Sequence, residues 1–139
     1  DYAHTPDAVS SVLSTARGFT SGKVIALLGC GGDRDSSKRP LMGKALADGS
    51  SIAIFTSDNP RSEDPTKILE EMTGALVIAE PSKIIDDRRA AIEYAVSLCQ
   101  AGDTLLLLGK GHENGQEIQG KKIDFDDRVV LAEVIEALR

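Results

Sequence analysis

Short apolar runs alternate with amphipathic segments along the 139 residues of this chain, and this alternation constrains its fold more than any other feature. The runs consist mostly of Val, Ile and Leu and occupy residues 24–28, 52–55, 76–79 and 104–108. Such runs are typical of strands covered on both faces. Strands that alternate with helices pair in parallel through right-handed crossovers. We therefore predict a three-layer, Rossmann-like α/β fold, whose mostly parallel sheet of about five or six strands carries helices on both faces.

Helix-start signals occupy the segments between the apolar runs. Thr5-Pro6 and Asp64-Pro65 each combine a capping side chain with a proline suited to the first helical turn. A shorter helix is expected from about Arg39 to Ala47. Two further helices each have two alternative caps, namely Asp86 or Asp87 and Asp126 or Asp127. Residues 116–119 and 121–124, divided by a glycine, indicate a small hairpin or an antiparallel edge.

The composition limits the partners and the redox environment that we expect for this chain. Sixteen Lys and Arg against twenty-two Asp and Glu give a net charge of −6, which argues against nucleic acid and anionic membranes as partners. No apolar stretch reaches the roughly 18 residues that a membrane span requires. Cys30 and Cys99 are predicted to be free packing thiols in a reducing cytosol, and Cys30 lies in a loop where it could be accessible.

Polar clusters follow three of the apolar runs, at the point where each predicted strand ends. They occupy residues 29–35, 58–61 and 109–113, and a fourth cluster at residues 1–7 precedes the first helix. In parallel α/β sheets, ligands bind at the carboxyl ends of the strands. The sequence therefore predicts a binding site at this edge of the sheet.

The glycine-rich cluster at residues 29–34 leaves two interpretations open. Its glycines allow close backbone approach, so the loop could cradle an anion. Arg34 stands where the dinucleotide fingerprint requires its last glycine, and no Gly-Lys-Ser/Thr follows as in a P-loop. The alternative is a tight strand-to-helix turn.

The clusters at 58–61 and 109–113 suggest contacts to an amino acid. Arg61 could hold a carboxylate in a bidentate fork, while Asp58 and Asn59 could meet an ammonium group. Without other context, the same residues describe a capped turn with a solvated arginine. Glu113 could also accept from an ammonium group, and Lys110 is interpreted as a surface charge. With two histidines in the chain and no Cys/His cluster, no metal site is predicted.

The four clusters together resemble the C-terminal domain of the Mur ligases, and within that family the members that add meso-diaminopimelate. The likeness runs from the start of the chain to residues 123–128. It implies a ligase of peptidoglycan synthesis that joins an amino acid to a UDP-N-acetylmuramoyl dipeptide through an acyl phosphate, using ATP and Mg²⁺. It also implies a cytoplasmic monomer with three domains. Residues 1–139 would form the third, and the UDP-binding and ATPase domains, which hold most of the ATP and Mg²⁺, would lie outside this piece.

The resemblance also assigns roles to residues. Arg61 would discriminate against lysine, which lacks the second carboxylate of diaminopimelate. Asp1 and His4 would contact the nucleotide between domains, and no catalytic or metal-binding residue is expected in this domain, which alone would be inactive. One departure is Gly115, where similar enzymes often carry an aromatic residue. The residues expected to hold meso-diaminopimelate are Arg34, Asp58, Asn59, Pro60, Arg61, Gly109 and Glu113.

Two alternatives remain open from the sequence. The first is a related amide ligase domain with a different acceptor amino acid, such as one that adds glutamate to folate. The second is a non-enzymatic module that senses nucleotides. The interrupted fingerprint at Arg34 weighs against the second alternative.

Overall fold

A parallel sheet of four strands forms the centre of the molecule, in a computed structural model that describes residues 2–138. Its strands are β1 (Val24–Cys30), β2 (Ile52–Ser57), β3 (Lys83–Ile84) and β4 (Thr104–Leu108). Their order across the sheet is β3-β2-β1-β4. Val24 pairs with Thr104 and Ile25 with Ile52, so the three long strands run in register to the same edge.

Five helices cover the two faces of this sheet, as the alternation predicts. Within residues 2–138 these α-helices are α1 (Pro6–Phe19), α2 (Arg39–Gly49), α3 (Pro65–Thr73), α4 (Arg88–Leu98) and α5 (Asp127–Ala137). One face of the sheet packs against α1, α2 and α3 around a core that includes Leu13, Leu46 and Phe55. The opposite face packs against α4 and α5 around a core that includes Ile54 and Ile92. No helix among residues 2–138 is long and apolar enough to cross a membrane.

Aspartate or threonine side chains cap α1, α3, α4 and α5, whereas α2 begins after Lys38 without a side-chain cap. These caps settle the alternatives left by the sequence. The Thr5 hydroxyl accepts from the Ala8 amide, and Asp64 caps α3. Asp87, not Asp86, accepts from the Arg89 amide at α4, and Asp126, not Asp127, caps α5. In each case the side-chain oxygen satisfies an amide that the first helical turn leaves without a backbone partner.

The main sheet has fewer strands than the five or six expected, and two differences account for this. Residues 76–79 form no strand, because Val77 is 98% exposed while Leu76 and Ile78 only pack against the first core. The edge of the sheet is instead the short β3, which pairs with β2. The predicted hairpin, β5 (Gly115–Ile118) and β6 (Lys121–Asp124), is present but forms a separate sheet of two antiparallel strands.

Arg88 joins the carboxyl ends of two strands to a helix. Its guanidinium is 1% exposed and donates to the carbonyl oxygens of Ser57 and Leu108 at 3.0 and 3.2 Å. It also forms two 2.8 Å bonds with the buried carboxylate of Asp127. The attraction between Arg88 and Asp127, together with their hydrogen bonds, offsets the cost of removing both charges from water, so the pair can lie in the interior.

Candidate functional site

Seven of the nine predicted site residues line one cavity of about 580 Å³ at the carboxyl edge of the sheet. Pro60 lies elsewhere, on the wall of a larger groove of about 1030 Å³ between the hairpin and the N-termini of α4 and α5. Asp1 lies outside the described residues. The sequence-predicted residues that line the smaller cavity are His4, Arg34, Asp58, Asn59, Arg61, Gly109 and Glu113.

Strand register and glycine explain why three distant segments meet here. Cys30 lies beside Ser57 and Leu28 beside Leu108, so the three loops leave the sheet at one edge. A Cβ at Gly29 would lie 2.6 Å from backbone atoms of residues 56–58, so glycine is what allows the first two loops to approach. Loops held by a rigid sheet edge are suited to binding small molecules.

One backbone hydrogen bond and one from the Arg61 side chain join the glycine-rich loop to the loop that carries Arg61. The Gly32 amide donates to the Asn59 carbonyl oxygen at 2.7 Å. Arg61 returns a bond from Nη1 to the Gly32 carbonyl oxygen at 2.8 Å. Asp33 and Arg61 both have left-handed backbones, with φ of 55° and 53°. Left-handed backbones are uncommon outside glycine, so the paired loops hold two residues in conformations that neither would favour alone.

Arg39 is a buried cation of this site that sequence reasoning missed. It is 2% exposed, and it bonds Glu63 at 2.7 Å, Glu71 at 3.3 Å and the Gly31 carbonyl oxygen at 3.1 Å. The Arg39 bond, helped by the Asp33 amide, lowers the pKa of Glu63 to about 2. Arg39 thus connects the glycine-rich loop to the segment after Arg61. Its signal in the sequence was weak, because it resembles any arginine at the start of a helix.

The hairpin supports the Asp58–Arg61 loop from its other side. Gln116, which is buried, donates from Nε2 to the Asp58 carbonyl oxygen at 2.8 Å. The Glu117 amide donates to Asn59 Oδ1 at 2.9 Å. Arg61 donates its own amide to the Glu117 carbonyl oxygen at 2.9 Å and accepts from the Gln119 amide at 2.7 Å. One oxygen of the Asn59 side chain is therefore used within the fold, and the backbone of Arg61 is fixed on both sides.

Lys110 is buried, and its interpretation as a surface charge is wrong. Its side chain is 0% exposed, and Nζ donates to the Gly115 carbonyl oxygen at 2.6 Å. Nζ also lies 3.5 Å from Asp58 Oδ1 and 3.8 Å from Glu113 Oε1. A buried ammonium group needs such partners, because desolvation is costly. The available signal was its position directly after a buried strand, between two glycines.

The start of the chain packs over the third loop. Tyr2 hydroxyl and His112 Nε2 are 2.9 Å apart, and the two rings meet edge to face. A Cβ on Gly111 would lie 2.7 Å from the Tyr2 ring, so the ring sits directly on this glycine. His4 donates from Nδ1 to the Tyr2 carbonyl oxygen at 2.6 Å and lines the cavity. His112 therefore has a structural partner in Tyr2.

The two cysteines are free, as predicted, but their surroundings differ from expectation. Cys30 is buried, and burial raises the pKa of its thiol to about 12, so it is not an accessible nucleophile. Cys99 is exposed and not a core packing residue. Within residues 2–138, no group of three His, Cys, Asp or Glu side chains could hold a metal ion.

The chain matches a known protein family. Residues 1–111 match the family model described as "Mur ligase, glutamate ligase domain". Curated relatives named UDP-N-acetylmuramoyl-L-alanyl-D-glutamate–2,6-diaminopimelate ligase are similar over almost the whole chain. That of Solibacter usitatus is 49% identical over 97% of this chain, and that of Aquifex aeolicus is 51% identical over 97%. The chain spans 28% of the length of each of these relatives.

Solved structures agree with this match. A structure of a ligase with the same name superposes with a TM-score of 0.94 at 47% identity, over 99% of this chain and 28% of that one. E. coli FolC in complex with ADP superposes with a TM-score of 0.56 at 20% identity, over 99% of this chain and 28% of that one. The second likeness shows the fold alone.

Proposed function

This chain belongs to the Mur ligase family, and we propose that it is the amino-acid-binding C-terminal domain of a ligase that adds meso-diaminopimelate to UDP-N-acetylmuramoyl-L-alanyl-D-glutamate. The matched family domain and the names of the relatives support this proposal. The chain spans 28% of those relatives, so further domains would bind the UDP-linked dipeptide and most of the ATP and Mg²⁺. Residues 1–139 alone would be inactive.

The observation that carries the proposal is the mixture of charges around the 580 Å³ cavity. Arg34 and Arg61 line it together with Asp58 and Glu113. Guanidinium groups bind carboxylates, and carboxylates bind ammonium groups, so this wall suits a ligand that bears both. Diaminopimelate carries two amino-acid ends, each with a carboxylate and an ammonium group. Asn59 and Gly109 would add amide and backbone contacts, and Pro60 would hold the turn between Asn59 and Arg61.

Arg61 is the residue proposed to distinguish diaminopimelate from lysine. Its two side-chain hydrogen bonds both come from Nη1, to the carbonyl oxygen of Gly32 in the glycine-rich loop and to that of Asn59 in its own loop. Its other guanidinium N–H groups can then serve the distal carboxylate. Lysine lacks that carboxylate and would leave these half-buried donors unsatisfied, at a cost of about 1–3 kcal/mol.

ATP and Mg²⁺ would be held largely by other parts of the full-length enzyme, of which this chain would supply the amino-acid-binding domain. The nucleotide, with its metal, would supply the phosphoryl group that activates the dipeptide carboxylate. The residues of this domain would bind and orient the incoming amine, and closure of the domains would exclude water. His4, and Asp1 with it, would contact the nucleotide in the closed state.

The proposal is tested by steady-state kinetics of the full-length enzyme with Arg61→Ala. The KM for meso-diaminopimelate should rise about fivefold to 150-fold, which corresponds to the loss of about 1–3 kcal/mol. Lysine should be a poor substrate of both enzymes, and its kcat/KM should be no lower in Arg61→Ala than in the wild type. The matched control is Arg89→Ala on α4, because Arg89 is exposed and pairs with Glu133 away from the cavity. An unchanged KM for diaminopimelate in Arg61→Ala would contradict the proposal, as would effective competition by glutamate in the wild-type enzyme.

A further inference from the structure

The buried ammonium of Lys110 lies between two carboxylates of the proposed amino-acid site. Asp58 comes from the loop after β2, and Glu113 comes from the same loop as Lys110. Their carboxylate oxygens lie 3.5 and 3.8 Å from Lys110 Nζ. Lysine Nζ is fully covered, whereas the side chains of Asp58 and Glu113 remain 15% and 43% exposed. The cation therefore lies behind the carboxylates, and the carboxylates line the cavity.

This trio has one cation for two carboxylates. Asp58 Oδ1 is buried and makes no hydrogen bond to the described residues, and its 3.5 Å separation from Nζ exceeds the length of a strong charge-assisted bond. The trio thus carries a net negative charge and an acceptor without a donor. A second cation that enters the cavity would supply the missing charge, and it would approach the parts of the Asp58 and Glu113 side chains that remain exposed.

We propose that Lys110 is a positioning residue, which keeps Asp58 and Glu113 close enough to receive one ammonium group of the incoming amino acid together. This inference rests on the proposed function of the cavity. Without the buried cation, the two carboxylates would repel each other across the gap between their loops. Lys110 itself would touch no substrate, because its Nζ is directed to the Gly115 carbonyl oxygen and to the backs of the two acids.

Lys110→Gln separates the role of the charge from that of the hydrogen bond. Glutamine can still donate to the Gly115 carbonyl oxygen but carries no charge. In the full-length enzyme we expect the KM for meso-diaminopimelate to rise at least tenfold, while the KM for ATP stays within twofold. A solely structural lysine would instead lower the thermal midpoint or change both KM values together. The matched control is Lys44→Gln, since Lys44 is an exposed lysine paired with Asp48 on α2.

The double variant Lys110→Gln/Glu113→Gln tests whether Lys110 acts through the carboxylates. If it does, the two effects on the KM for diaminopimelate are not additive, and the double variant loses less than the product of the single losses. Additive effects, or an unchanged KM in Lys110→Gln, would overturn the inference.

Two further measurements cover the cases in which Lys110→Gln does not fold or the proposed function itself is wrong. If Lys110→Gln proves too unstable to purify, Lys110→Arg keeps the cation and should hold the KM for diaminopimelate within threefold of wild type. A tenfold rise in this variant at an unchanged thermal midpoint would overturn the inference. Failure of the proposed function is seen separately, in wild-type enzyme that releases no phosphate in response to diaminopimelate.

Discussion

Gly32 shows how much a single residue contributes to the site. It is buried, its amide and carbonyl groups both bond the neighbouring loop, and a Cβ at this position would lie 1.8 Å from the Pro60 carbonyl oxygen. No side chain fits that gap unless the two loops separate. The close approach of these loops, and with it the position of Arg61, therefore depends on the absence of one methyl group.

Gly32→Ala is expected to destabilise the protein by about 1–3 kcal/mol, because the new methyl group must push the loops apart. Urea denaturation measures the change. The matched control is Gly18→Ala in α1, where no atom lies within 4 Å of the new Cβ. In a helix that substitution should be neutral or stabilise by up to about 1 kcal/mol. Equal unfolding midpoints for the two variants would contradict the proposed packing.

The burial of three charged side chains could not be predicted from the sequence around them. These residues are Lys110, Arg39 and Arg88. Lysine and arginine side chains are mostly exposed in proteins, yet each of these three is buried among carboxylates and carbonyl oxygens. Their partners lie up to 52 residues away in the chain, as with Lys110 and Asp58. Burial of a long charged side chain depends on such distant partners, so no local pattern could reveal it.

At the scale of elements, three of the four apolar runs are strands, and the run at residues 76–79 is not. Runs 24–28, 52–55 and 104–108 became β1, β2 and β4 because each finds parallel partners. Residues 76–79 have similar composition but no neighbouring strand, and a turn from Thr73 to Leu76 leads them over the surface of the core. Strand pairing is a property of two segments, so the composition of one segment cannot decide it.

Replacing Arg88, which joins α4 to Asp127 of α5, is expected to lower the free energy of unfolding by a large amount. Arg88→Met should destabilise the protein by about 3–5 kcal/mol, because it leaves a buried carboxylate without its cation. Arg88→Met/Asp127→Leu should recover much of that loss, since neither charge then remains buried. Arg89→Met on the same helix is the control and should cost less than about 1 kcal/mol, as its pair with Glu133 is exposed. A double variant as unstable as the single one would show that the interior bonds to Ser57 and Leu108 dominate.

At the scale of the whole molecule, low pH should unfold the protein partly through Glu63. Its pKa is near 4.5 in the unfolded chain and about 2 in the folded protein, because Arg39 and the Asp33 amide bond its carboxylate. Asp126 behaves similarly, since the Arg128 bond lowers its pKa to about 2. Between about pH 4.5 and 2 the unfolded chain binds these protons and the folded one does not, so stability should fall as the pH falls.

Urea unfolding between pH 6 and 2 measures this loss. Glu63→Gln should be less stable than wild type at pH 6, but the difference between the two should shrink toward pH 2. Glu70→Gln on the exposed side of α3 is the control and should follow the wild-type pH dependence. A difference between Glu63→Gln and wild type that stays constant down to pH 2 would show that the Arg39 bond does not lower the pKa of Glu63.

The sequence by itself determined the layered α/β class, the positions of the helix starts, and the edge of the sheet at which the polar loops meet. These properties follow from hydrophobic periodicity, capping residues and glycine, which act over a few residues. Tertiary structure alone decided that the hairpin supports the Arg61 loop, that residues 76–79 stay outside the sheet, and that Lys110 lies behind Asp58 and Glu113. Each of these requires contacts between segments far apart in the chain, because desolvation and strand pairing depend on what the folded molecule places beside each group.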